Sequence, residues 1–77
     1  MKHYQPATYR ITVAGHLDDS WSDCMGNMTI TTSSHGDQGV MTTLVGRVRD
    51  QAELSGVLNT LYEFHLSLLT VKILPSD

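Results

Sequence analysis

Asp50 to Leu74 reads DQAELSGVLNTLYEFHLSLLTVKIL, and this stretch decides the fold. Asp50 carries the short acceptor side chain of a helix N-cap, and Glu53 three residues later completes a capping-box-like pair. From there Leu54, Val57, Leu58, Leu61 and His65 recur as one helical stripe, with Tyr62 and Phe64 on its flanks. Gly56, Asn59, Thr60 and Glu63 take the other side. A glycine there costs about 1 kcal/mol relative to alanine, and only a backbone packed closely against it would explain its presence. The period then drops to that of a strand over Leu68–Leu74, with Leu69, Val71 and Ile73 on one face, Thr70 and Lys72 on the other, and Pro75 as the stop. The chain must reverse between helix and strand, which calls for a left-handed residue. His65 stands at that point, and histidine is one of the few non-glycine types enriched at positive φ.

Upstream, Thr8–His16 alternates, with Tyr9, Ile11 and Val13 on one face and Thr8, Arg10, Thr12 and Ala14 on the other, the pattern of a half-buried strand. Leu17–Gly26 changes period. Asp18, Asp19 or Ser20 caps a helix of at most two turns, Trp21, Cys24 and Met25 share a face, and Gly26 is its stop. So short a helix needs an anchor, and Trp21 is expected to hold it against the sheet. Met28–Thr32 and Val40–Val48 are two more strands, joined by the turn formers Ser33–Gly39 into a hairpin. The order strand–helix–strand–strand–helix–strand predicts an α+β protein, a ferredoxin-like βαββαβ sandwich whose four-stranded antiparallel sheet carries one short and one long helix on one face. The connection from the first strand to the second is short for a crossover, so a β-meander with a single real helix is the topological alternative. Residues 1–7 read as a disordered lead-in and 8–75 as a single domain.

With 77 residues, the chain leaves much of its surface unburied and has a thin margin of stability. Cys24 is the only cysteine, so an internal disulfide cannot supplement the core and a homodimer is the expected supplement. A lone cysteine, with no apolar leader at the N-terminus, reads as cytoplasmic. No apolar run approaches the roughly 20 residues that span a bilayer. A net charge of −3 with only 5 Lys and Arg lacks the footprint of a nucleic-acid binder or of a protein that adheres to anionic membrane.

If both helices cover one face of the sheet, the other is bare. Arg10, Thr12, Ala14, Thr29, Thr31, Met41, Thr43, Val45, Thr70 and Lys72 would form it, a Thr-rich and weakly apolar surface suited to a second copy or another protein. The chemistry-bearing residues give no catalytic, cofactor or metal site. His16 with Asp18, Asp19 and Asp23 matches no ligand spacing, and those acids serve as caps and first-turn residues. Cys24 lies late in its helix, where the dipole disfavours a thiolate, and reads as a small buried apolar residue. The glycines form no phosphate-binding pattern. The face offers no aromatic on which a base could stack. A regulatory domain of ACT type shares the element order and places its ligand at the loop after the first strand. Gly15, His16, Asp18 and Asp19 would be that ligand loop, which is the alternative function. A weaker third option resembles dimeric αβ-barrel oxygenases or isomerases, with His16 or His35 as base.

Tyr9–Asp18 (YRITVAGHLD), Trp21–Asp23, Thr42–Asp50 (TTLVGRVRD) and Gln51–Asn59 (QAELSGVLN) together resemble a family of short bacterial proteins of unassigned activity, cyanobacterial and Chloroflexi-like. The resemblance covers nearly all of the chain after Ala7. It implies no reaction, and it departs here at His65 and Ser67, where the family pattern has Gly and Pro. The expected function is therefore that of a small, non-enzymatic, self-associating or protein-binding module.

Overall fold

The computed structural model describes residues 6–34, 37 and 39–75, apart from the side chains of Cys24 and Met25. The elements run β1 (Ala7–Ala14), a 3-10 helix (Asp19–Met25), β2 (Thr29–Ser34), β3 (Val40–Val48), α1 (Gln51–Glu63) and β4 (Ser67–Leu74). The strands form one antiparallel sheet in the order β2-β3-β1-β4. The protein is thus α+β, with one α-helix among the described residues. The short segment expected as a second helix closes as 3-10 turns. Asp18 caps it by accepting from the Ser20 N–H at 3.0 Å, and Gly26, at φ 67, ends it in the left-handed conformation that glycine adopts without strain.

The α1 ends follow from their residues. Asp50 Oδ1 accepts from the Glu53 N–H at 2.9 Å, while the Glu53 carboxylate reaches back one residue further, to the Arg49 N–H at 2.8 Å. At the other end the His65 N–H donates to the Tyr62 carbonyl at 2.9 Å and the Leu66 N–H to the Leu61 carbonyl at 3.2 Å. With His65 at φ 62 this is a Schellman motif, and the chain reverses there as expected.

Tyr9, Ile11 and Val13 of β1 and Leu44 and Val48 of β3 meet Leu54, Val57 and Leu61 of α1, closed by Leu17 and Met28. Leu58 is only partly buried, and His65 lies beyond the helix and is exposed. Met28 sits where a Cβ at Gly46 would come 3.0 Å from its Cα, so β3 keeps a glycine on its core face to admit it. Nothing lies within 4 Å of a Cβ built at Gly56, so no close packing explains that glycine.

Three expectations are corrected. Trp21 is not buried in the core; it is 44% exposed and meets the Phe64 ring edge-on, centroids 5.0 Å apart at 80°. β4 does not alternate cleanly, because a register shift opposite Thr12/Val13 pairs Val13 with Leu68 and Thr12 with Thr70, leaving Leu69 as the extra residue. Leu68, Val71 and Ile73, not Leu69, therefore share the core-side face. Ala7 already belongs to β1, while residues 1–5 of the expected lead-in lie outside the described residues, as do His35 and the side chain of Cys24.

Candidate functional site

Three places combine exposed chemistry with fixed geometry. At the loop from Gly15 to Asp19, Thr42 is the organiser. It is a fully buried polar residue whose Oγ1 donates to the Gly15 carbonyl at 2.6 Å and accepts from the Leu17 N–H at 3.1 Å. The Gly15 N–H donates to the Val40 carbonyl at 2.8 Å, and Leu17 is buried. Asp18 spends its carboxylate on the cap. The Ser20 N–H, then the Asp19 side chain, hold its carboxyl below the ordinary 3.8, with a smaller contribution from the His16 charge. Gly15, His16, Asp18 and Asp19 lie along one loop, where the Asp18 carboxylate accepts from the Ser20 N–H and the Gly15 backbone bonds to Val40 and Thr42. Among the described residues no three His, Cys, Asp or Glu side chains converge. Thr42 was legible only as one more residue of an alternating strand; nothing in the sequence marks its hydroxyl as the link between strand and loop.

The second place is the sheet face away from α1. The register brings the expected residues onto it in rows that cross all four strands. Thr31, Thr43, Thr12 and Thr70 form one row, and Thr29, Val45, Arg10 and Lys72 the next. Met41 and Ala14 are paired in the row beyond the threonines, and Arg47 is paired with Thr8 on the other side of the cations. On this face Thr12, Ala14, Met41, Thr43 and Val45 are half-buried, and Arg10, Thr29, Thr31, Arg47, Thr70 and Lys72 are exposed.

The third place was not foreseen. β4 is an edge strand, and all of its side chains except Leu74 are exposed. On the α1 side Leu68 is 51% exposed, Val71 37% and Ile73 65%, and Tyr62 on the neighbouring end of α1 is 79% exposed. Between them Leu58, Leu61, Tyr62, Leu66, Leu68 and His65 line a half-open groove of about 820 Å³. The buried stripe of α1 packs with side chains of β1 and β3, and although α1 also meets β4, the side chains of that strand stay exposed. Hydrophobicity alone pointed inward here; the signal that the strand is an edge lies in the topology.

No helix among the described residues is long and apolar enough to cross a membrane. No curated protein and no solved structure matches the chain. A family model, a domain of unknown function (DUF8691), matches residues 8–72, which takes in every strand and helix from β1 to most of β4. The chain belongs to that family, DUF8691.

Proposed function

We propose that this protein is a small non-enzymatic module that self-associates through the free margin of β4. The observation that carries this reading is the apolar surface of an unpaired strand edge. β4 presents Leu68, Val71 and Ile73 beside Tyr62, with Lys72 as its single charge and no proline inside it. Isolated edges are ordinarily blunted by charges, proline or a covering segment, and β4 has little of this. The other edge strand, β2, reads TITTSS and is polar. The four exposed apolar side chains amount to roughly 400 Å², taking about 150–200 Å² for each if fully bare. An interface about 65% apolar built around them would bury roughly 600 Å² per copy, enough for a specific contact.

A second copy is the occupant that fits. An antiparallel strand pairs with itself about a two-fold axis, satisfying its outer N–H and C=O groups and joining two sheets into one. The fold is read as a reduced ferredoxin-like sandwich, in which the 3-10 helix stands for the first helix. In support, β3 lies between β1 and β2, and β1 between β3 and β4, so both helical segments connect next-but-one strands. The single cysteine supports a cytoplasmic setting. The ligand-loop alternative at Gly15, His16, Asp18 and Asp19 draws less support, since Asp18 is already used as a cap.

Sedimentation velocity tests the reading. The wild-type chain should sediment as a dimer at high micromolar concentration, and Ile73→Lys should sediment as a monomer with its circular dichroism unchanged, because Ile73 is mostly outside the core. A wild-type monomer under those conditions, or an Ile73→Lys dimer, sinks the proposal.

A further inference from the structure

We infer that the open face of the sheet is a docking surface for an acidic polypeptide segment. The charges of this chain are sorted by face. Among the described residues no Asp or Glu lies in a strand, although the chain has 8 of them against 5 Lys and Arg. Arg10, Arg47 and Lys72 all fall on the open face and all are exposed. Arg10 and Lys72 are directly paired across β1 and β4, and Arg47, paired with Thr8, is one diagonal step from Arg10. Like charges directly opposite one another on a sheet destabilise it. No ion pair with any of the three is formed among the described residues, where the one salt bridge is Arg49 to Glu53.

Beside the cations runs the row Thr31–Thr43–Thr12–Thr70, about 14 Å long at the usual strand spacing. None of these four hydroxyls has a hydrogen-bond partner among the described residues. A net-acidic protein thus holds a patch that is cationic, rich in free donors and devoid of carboxylates. Its complement is an elongated, acceptor-rich anion. The patch spreads its cations and hydroxyls across four paired strands, an arrangement that disfavours a small anion that needs enclosure. It has no aromatic on which a base could stack, whereas half-buried Met41, Ala14 and Val45 are interleaved with the polar residues. Apolar side chains alternating with carboxylates meet that mixture, and a phosphodiester backbone does not.

The occupant is not a second copy stacked face to face, since that would set the cation cluster against its own image. The surface takes Thr70 and Lys72 from β4 but lies on the opposite side of that strand from Leu68, Val71 and Ile73.

The test uses a peptide of alternating Glu and Val, its Gln/Val twin, and an oligo(dT) of matched charge, titrated into the 15N-labelled full chain. The Glu/Val peptide should shift the amides of Thr12, Thr43 and Val45, in the two central strands. Its affinity should fall about three- to five-fold in Lys72→Thr, as for loss of one exposed charge contact. That variant should melt no lower than wild type, because a repulsion has been removed. Arg47→Thr serves as a second variant with the same expected loss. Equal binding of the Gln/Val twin, tighter binding of oligo(dT), shifts confined to β4, or no saturable binding of the Glu/Val peptide would each overturn the inference.

Discussion

At position 65 a histidine holds a conformation that glycine holds more easily. His65 has φ 62, and its N–H and that of Leu66 satisfy the Tyr62 and Leu61 carbonyls at the end of α1. The left-handed conformation disfavours a residue with a Cβ by about 1–2 kcal/mol, and the extra chain entropy of glycine returns part of this. His65→Gly should therefore stabilise the fold by about 0.5–1 kcal/mol, raising Tm by a few degrees for a domain of this size. Thermal unfolding by circular dichroism at low protein concentration measures it, and a lower Tm would mean that the imidazole contributes contacts beyond the turn. The conformation of this residue was legible in the sequence because the chain must reverse between the end of the helical stripe and the alternating strand, and histidine there is one of the few non-glycine types that take a positive φ. Gly46 was not legible in the same way. Its reason is Met28, eighteen positions earlier in number and adjacent only after β2 and β3 have paired.

Among the elements, those with a long period could be read and those set by register or competition could not. α1 and β3 carry enough repeats to define themselves, and β1 has a clean alternation. β4 has the same residue types, yet its register shift opposite Thr12/Val13 moves Leu68 to the core side and displaces Leu69, because one extra residue inverts every side chain beyond it. The segment Asp19–Met25 has helical spacing but too few residues for α-helical nucleation, and it settles as 3-10 turns between a cap at Asp18 and a left-handed Gly26. That cap gives a pH signature. The folded Asp18 carboxyl titrates below 3.8, so it binds its proton less readily folded than unfolded. Its stabilising contribution is present above about pH 3.8 and is lost as the pH falls through the lower, folded pKa. Asp18→Ala should lower Tm at neutral pH, and the gap from wild type should close as acid is added below that point. A gap that stayed constant to the lowest accessible pH would mean that the cap does not depend on charge.

For the whole molecule, the apolar residues are divided between two surfaces. Tyr9, Ile11, Val13, Leu17, Met28, Leu44, Val48, Leu54, Val57 and Leu61 close the core, while Tyr62, Leu68, Val71 and Ile73 stay outside it. One helix cannot cover four strands: the buried stripe of α1 packs with side chains of β1 and β3, and β4, though α1 meets it, keeps its side chains exposed. A core of this size gives a chain little margin, since net stability is a small difference between large opposing terms. Burying the β4 margin against a second copy would therefore add materially to the stability of each chain, and unfolding would become a transition from one dimer to two unfolded chains. Mass action then makes Tm depend on concentration. With about 0.7 kcal/mol of unfolding enthalpy per residue in each of two chains, every tenfold rise in protein should raise Tm by about 5 °C. Ile73→Lys should show a flat dependence and coincide with wild type only at high dilution, where both are monomers. A two-fold axis normal to the sheet would also keep both open faces on one side of an eight-stranded sheet, so association through β4 leaves each Arg10–Lys72 patch accessible. Differential scanning calorimetry across two decades of concentration decides the matter, and a wild-type Tm that does not move would leave the exposed strand without a partner of its own kind.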